Sequence, residues 1–387
     1  MKNISGLVVA ALSIALLFTA CSDSATDPTT PAETQVAVKQ VSAGYRHTMI
    51  LLSDGTLWGT GYNASGQLGD GTTGNRFSPV EVASGVASVS AGGAHTLFVK
   101  TDGSLWGMGS NNVLQIGAGS QWVENSTPQK VMDGVASAFA GYQYSAILKT
   151  DGSLWTIGCN DSGQQGDGTR TMQSSYTRLL DSGVASVATG DHHLVILKTD
   201  GTVWIAGSNE YGQLGNGTKT DSSSLIQVAV GGEAVDDAVA VAAGAYYTVI
   251  LRSDGSLWGM GSNTYGQIGN VNVTSSRSVP AKFVDGGVSK VFKGGCHILL
   301  VKTDGTLWGL GEGRFGQLGN NVEDTFSIPS LTLLNGGFAD VSAGANHTMI
   351  LKTDGSLWAT GANGDGQLGN GVETGANVLT PVKIVIE

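Results

Sequence analysis

Asp200-Gly-Thr-Val-Trp204-Ile-Ala-Gly207-Ser-Asn209-Glu-Tyr-Gly212-Gln213-Leu-Gly215-Asn-Gly217 is the fullest of seven related stretches in a chain of 387 residues. Its tryptophan returns at Trp58, Trp106, Trp155, Trp204, Trp258, Trp308 and Trp358, at spacings of 48, 49, 49, 54, 50 and 50 residues. Seven of the eight tryptophans thus hold one register. A period of this size marks propellers and solenoids, whose repeats are single supersecondary units. Length alone would allow two or three domains; the repeat makes it one.

Before each of these tryptophans a β-rich run meets Asp-Gly, as in Ile50-Leu-Leu-Ser-Asp54-Gly55-Thr-Leu57-Trp58. Asp-Gly between apolar runs signals a tight hairpin, and the two-residue form needs positive φ at both turn positions. It recurs at Asp102, Asp151, Asp200, Asp254, Asp304 and Asp354. Seven carboxylates on seven separate hairpins read as turn formers, not as acid/base pairs.

Internal alignment yields four strand candidates per unit. In the second they are Pro79-Val-Glu-Val82, then Val86 to Gly92, His95 to Lys100 and Leu105 to Met108. Ala83-Ser-Gly85 joins the first two, and Asp133-Gly134 or Asp181-Ser-Gly183 fill the same slot elsewhere. The longest connection follows the tryptophan, Asn63 through Ser78 in the first unit. Three short links and one long link predict an all-β fold, a seven-bladed β-propeller of four-stranded antiparallel blades. A three-residue link spans at most ~10 Å, short of a blade of four strands ~4.8 Å apart. On this reading Ala83-Ser-Gly85 is a hairpin within one blade. The terminal Thr380-Pro381-Val-Lys-Ile-Val-Ile386 is then a first strand with no unit after it, while the unit that begins at Val36 lacks one. The ring is therefore expected to close by pairing the C-terminal strand into the first blade, which would remove an exposed sheet edge.

Bulk properties narrow the function. Glycine numbers 59, charged residues make up 13% and the formal charge is −11. That balance, with no compact Lys/Arg block, argues against a nucleic-acid partner. Lys2, the apolar stretch Leu7 to Phe18 and the small residues Thr19-Ala20 have signal-peptide proportions. Leu17-Phe18-Thr19-Ala20-Cys21 resembles the bacterial lipobox, with Phe18 where that pattern prefers Leu. The expectation is a signal peptide over 1–20, a lipidated Cys21 and flexible tether over 21–35, and the propeller over 36–387. Ser22 to Gln35 lacks any large apolar residue and cannot bury enough surface to order itself. The protein would be exported to the bacterial outer membrane or cell surface, held by its lipid only, or else secreted. Cys159 and Cys296 belong to different repeats and read as structural thiols.

With Gly44-Tyr-Arg-His47, Asp54-Gly55, Trp58-Gly59, Asn63 and Gly66-Gln67-Leu68-Gly69 in order, the units resemble those of the regulator of chromosome condensation family. The resemblance covers Val36 to Glu387. Its histidine is present as His47, His95, His193, His297 and His347, with Tyr144 and Tyr247 in the other two units. One histidine per blade is too dispersed for tetrahedral metal coordination, so these read as core or turn-bonding residues. His192-His193 is the one adjacent pair, and strand neighbours face opposite ways. No metal site and no cofactor is expected.

Repeat-invariant residues belong to the scaffold, so the residues that vary between copies are the candidates for function. Antiparallel connectivity puts the two residues inside Gly-x-x-His on the same rim as the Asn-x-x-Gly-Gln-Leu-Gly loops. The candidates there are Tyr45, Arg46, Tyr62, Trp122, Tyr142, Gln143, Asp191, His192, Tyr211, Tyr246, Tyr265, Arg314 and Phe315. Aromatics and arginine on a rim are the composition of a recognition surface. Tyr211, Tyr265 and Phe315 hold one repeat position, from which they can also pack over the next blade; Trp122 falls outside the register.

No nucleophile elbow, P-loop, zinc motif or carboxylate pair outside the turns is present, so no catalytic residue is named and the chain is read as a non-enzyme. The expected function is a monomeric, lipid-anchored binding module that recognises a protein or glycan at the cell envelope. A secreted propeller inhibitor of β-lactamases with related repeats is a precedent by resemblance. The alternatives are guanine-nucleotide exchange, as in the family's founding member, or an unrecognised propeller enzyme. Exchange needs a cytoplasmic partner that an exported chain would not meet, and no unit carries a long insertion to act as a wedge.

Overall fold

The computed structural model describes residues 36–118, 124–269, 276–322, 328–334, 337–373 and 375–386. The expected signal peptide, Cys21 and tether lie outside the described residues, as does Trp122. Among the described residues there is no helix. Seven four-stranded antiparallel sheets are arranged as a β-propeller, with a small two-stranded hairpin besides. Blade one is β1 (Val38–Ala43), β2 (His47–Leu52), β3 (Leu57–Gly61) and β4 (Arg76–Ala83), hydrogen-bonded in that order. Blade two repeats it with β5 (Val86–Ala91), β6 (His95–Lys100), β7 (Leu105–Ser110) and β8 (Glu124–Met132). Residues 135–180, 184–227, 238–284, 288–334 and 338–384 build the other five. The first strand of each blade lines the axial channel, and the fourth is outermost.

Burial follows this order. All six residues of β2 are buried, whereas β4 has no buried residue. Blades packed face to face cover both sides of their middle strands, so β2 reads as a continuous apolar run (Met49-Ile-Leu-Leu52) instead of an alternating one. Met49 and Leu51 pack toward blade two and Ile50 and Leu52 toward blade seven. The 54-residue tryptophan spacing also has a cause. An extra hairpin, Ala229–Val230 with Glu233–Ala234, stands between the last strand of blade four and the first of blade five.

Three expectations need correction. Ala83-Ser-Gly85 is not a hairpin within a blade but the link from β4 to the innermost strand of the next blade, and the long loop lies inside the blade, between β3 and β4. Accordingly, the C-terminal strand does not pair into the first blade. Val378–Ile384 pairs with Leu357–Gly361 as the outermost strand of blade seven. The reach argument failed because the chain need not cross a whole blade. β4 ends at Ala83 opposite Leu57, and the Val86 N–H already bonds the carbonyl of Gly55, at the tip of the β2–β3 turn, at 2.9 Å. That diagonal is about two strand spacings, ~10 Å, within reach of three residues. Finally, the Asp-Gly turn carries positive φ at its glycine alone, 86° at Gly55 and 77° at Gly255. The Gly55 N–H bonds the Leu52 carbonyl at 3.1 Å, so the loop has three residues, a turn followed by a left-handed glycine. Asp54 instead uses Oδ1 to accept from the Thr56 N–H (2.9 Å) and hydroxyl (2.8 Å), and that hydroxyl accepts from the Trp58 indole at 3.2 Å. Asp54 is a turn former, as the sequence indicated. The two hydrogen bonds from Thr56 hold its carboxyl below the usual range.

The ring closes through contacts between blade faces. Imidazole Nε2 of His47 donates to the hydroxyl of Thr96 in blade two at 2.9 Å, and that hydroxyl donates onward to the Gln67 carbonyl of blade one at 2.8 Å. Because the hydroxyl hydrogen is committed to the carbonyl, it must accept from the ring, which fixes the Nε2–H tautomer. His95 reaches Ser145 (3.0 Å), His193 reaches Thr248 (3.0 Å) and His297 reaches Thr348 (3.2 Å). His347 of blade seven then reaches Thr48 of blade one at 2.9 Å. The two blades with tyrosine keep the latch in another form. Tyr144 donates to the backbone carbonyl of His193, and Tyr247 to that of His297 at 2.7 Å. In those two cases the hydroxyl residue of the next blade is replaced by Leu194 and Ile298, which pack in the same apolar clusters as the tyrosines.

All five latch histidines are fully buried. Burial pushes their pKa down, to about 4 for His47 and to about 3 for His95, His193, His297 and His347. Unfolded histidines titrate near ~6.5, so below that pH the unfolded chain binds protons that the native ring excludes. The contribution of these histidines to stability is therefore flat above about pH 6.5 and falls as pH drops toward 4. At pH 5, unfolding is expected to take up about five protons from this source. The slope of unfolding free energy against pH measures the number, and His47→Gln should lower it by about one; a slope unchanged by that substitution contradicts the assignment.

Candidate functional site

The latch also builds the rim. In blade one the turn between β1 and β2 is Gly44-Tyr45-Arg46, and the His47 ring lies against Gly44. A Cβ on Gly44 would sit 2.5 Å from His47 Cε1 and 2.7 Å from the Gly92 carbonyl oxygen, so only glycine fits. Pinned between this glycine and the buried histidine, the two intervening side chains face outward: Tyr45 is 41% exposed. The β3–β4 loop emerges on the same face and is held from within by its asparagine. Asn63 accepts from the Leu68 N–H at 3.0 Å and donates to Asp70 and to the carbonyls of Thr72 and Gly74, each at 3.1 Å. Although the long loop is not a crossing, it still shares a face with the first turn, because strand direction alternates either way.

Several predicted residues meet. Tyr45 of blade one and Tyr142 of blade three pack edge to face, with centroids 5.4 Å apart, and Tyr142 meets His192 of blade four at 6.0 Å. Glycine makes room for this in blade two, where a Cβ on Gly93 would lie 2.3 Å from the Tyr142 carbonyl oxygen. Arg46 lies over the Tyr62 ring at 4.8 Å and pairs with Asp365 of blade seven at 2.6 Å. Tyr211 packs on Tyr246 of the next blade at 5.0 Å, the packing role its repeat position allowed, while Tyr246 stays 37% exposed. Arg314 covers Phe315 at 4.7 Å. Gln143 is exposed and Tyr265 half-buried on the same face, but among the described residues neither makes a ring contact with these groups.

Asp191 occupies a different place from its rim neighbours. It lines the narrow mouth of the axial channel together with Tyr45 and Tyr142. Lys293, which sequence reasoning missed, stands at the junction of this mouth and a wider chamber of about 270 Å³ below. Repeat alignment could have found it. The corresponding inner strands end in Ala43, Ala91, Ala140, Thr189, Ala243 and Ala343, and only blade six ends in a lysine. Burial raises the Asp191 pKa and lowers that of Lys293, each opposed by the other's charge. Cys296 beside them is pushed up to about 12 by burial and stays protonated. Cys159 and Cys296 are both free thiols. Among the described residues no three His, Cys, Asp or Glu side chains gather as metal ligands.

Fold and site together define a seven-bladed propeller with a latch in every blade and one variable rim. The repeat pattern goes further. The regulator of chromosome condensation (RCC1) repeat matches over 38–67, 86–115, 135–164, 184–213, 238–267 and 338–367 in one form, and over 54–99, 102–148, 200–251 and 304–351 in another. The chain belongs to this family. Over 42 residues it is 50% identical to the ultraviolet-B receptor UVR8 of Arabidopsis thaliana, a stretch of 11% of this chain and 10% of that receptor. Human WBSCR16 has a similar structure, with a TM-score of 0.75 at 22% identity over 86% of this chain and 93% of that one. Prp20p from Saccharomyces cerevisiae gives a TM-score of 0.74 at 20% identity over 91% and 88%. At these identities the structural likeness is one of fold.

Proposed function

We propose that this chain is a non-catalytic binding propeller that recognises a protein or glycan through the rim bearing Tyr45, Arg46, Tyr62, Tyr142, His192 and Tyr246. The observation that carries this reading is the asymmetry between the two ends of the ring. One end repeats the same Asp-Gly turn seven times, with the same hydrogen bonds from Thr or Ser. The other presents aromatic rings and an arginine that differ from blade to blade, on backbone that the latch holds rigid. Preorganised aromatic and arginine anchors lose little entropy on binding. Prp20p, described with binding to Gsp1p and histones, supports protein recognition by a propeller of this fold. Exported and held by a lipid on Cys21, the propeller would meet its ligand at the cell envelope.

Two experiments test this. Capture from envelope extracts and on a glycan array, with the full chain as bait, should yield a partner lost in Tyr45→Ala/Tyr142→Ala/Tyr246→Ala. The same partner should be retained when Lys383→Ala alters the opposite end. Equal loss in both variants, or retention in both at unchanged melting temperature, would remove the rim from the account. Labelled palmitate should enter the wild-type chain in a bacterial host and not Cys21→Ser; a wild type that stays unlabelled excludes the anchor.

A further inference from the structure

The axial channel holds a pair of charges that the fold does not need. Its wall is otherwise neutral and small, mostly alanine, glycine, serine, valine and threonine from the inner strands. Into it blade four sends Asp191 and blade six sends Lys293. The two feel each other's charge, yet among the described residues neither side chain makes a hydrogen bond or an ion pair. Both are half-buried and reach water along the axis. Six of the seven blades place alanine or threonine where Lys293 stands, so the ring closes without it. A half-buried charge with no hydrogen-bonded partner is costly, and the narrow mouth that both line, about 30 Å³, opens at Lys293 into the chamber.

Charge and shape limit that occupant. The site is neutral overall but divided, positive at the chamber and negative at the mouth, so a simple anion or a simple cation would meet one repulsive group. Tyr45 and Tyr142 flank the negative end, where ring faces and edges suit an ammonium group. The chamber of about 270 Å³ beneath Lys293 is lined by Phe139, Val187, Val241 and Phe292 among others, and takes an apolar side chain or a carboxylate stem. We propose that a small zwitterion binds where the mouth meets the chamber, with its carboxylate on Lys293 and its ammonium in the mouth on Asp191. Free α-amino acids have this chemistry, as does an adjacent Lys-Glu pair on a protein loop. The site shares Tyr45 and Tyr142 with the rim, but Lys293 and Asp191 test it separately: it can bind a small molecule even where the rim binds no protein or glycan.

The twenty free amino acids, each at about 10 mM, would be screened against the full-length protein by melting shift, a level that detects millimolar affinity. The best binder is then titrated calorimetrically beside its amide, which keeps only the ammonium, and its deaminated acid, which keeps only the carboxylate. The zwitterion is expected to bind at least tenfold more tightly than either. Lys293→Met and Asp191→Asn should each lose that binding by a similar factor while still melting cooperatively, since neither side chain is held by a hydrogen bond or ion pair of the fold. Acetyl-Lys-Glu-amide is the second arm; tighter binding than any free amino acid assigns the site to a protein loop. No binding by any of these probes, equal binding of the one-charge analogues, or binding that survives Lys293→Met overturns the proposal and leaves water as the occupant.

Discussion

A buried hydrogen bond from each blade to the next holds this ring together. Its donor is an imidazole in five blades and a phenol in two, and its seventh member, His347 to Thr48, joins blades with no chain between them. Neighbouring contacts at that seam repeat those of the covalently linked seams. The Ala43 N–H bonds the Ser342 hydroxyl at 2.9 Å, as the Ala91 N–H bonds Ser42 at 3.0 Å, and Gly371 bonds the Phe77 carbonyl as Gly71 bonds that of Ser126, both at 2.8 Å. A net hydrogen bond contributes only ~1 kcal/mol, but leaving a buried partner unmet costs more. Seven such links that stand or fall together make the ring's closure a collective property, and strand exchange is not required.

Much of this was legible in the sequence. The tryptophan period and Asp54-Gly55 determined the blade count, and the Gly-x-x-His turns identified which loops share a face. Order within the blade was not legible, because a short link between β-rich runs looks the same whether it stays in a sheet or leaves it. What decides is the Val86–Gly55 hydrogen bond, a tertiary contact with no local signature. The latch was half visible. Tyr144 and Tyr247 stood out as departures from histidine, but their partners lie one blade further on. Read together, Tyr144 with Leu194 and Tyr247 with Ile298 form a compensated exchange that an alignment of the seven units displays.

The proposed function divides along the same line. Residues that repeat are consumed by closure: glycines that make room for imidazoles, asparagines that staple loops, aspartates that shape turns. Residues that vary, from Tyr45 and Arg46 to Tyr246, are carried on that frame outside the latch, though Arg46 also pairs with Asp365 and Tyr246 packs on Tyr211. Sequence variation picked out side chains that share one face for this reason. It passed over Lys293, which lies on an inner strand where variation was not sought, and Asp191 was placed on the rim although its carboxylate belongs to the channel mouth.

The latch is tested most directly by moving its tyrosine form to a histidine blade. His47→Tyr and Thr96→Leu, singly and together, would be compared by denaturant unfolding. On this account each single change lowers stability by about 1–3 kcal/mol, since it leaves a buried group unmet or crowded. The double change should recover at least about 1 kcal/mol of the summed loss, because Tyr and Leu form the pair seen at Tyr144 and Leu194. Additive losses, with no recovery in the double variant, would contradict the claim that these two positions work as one unit.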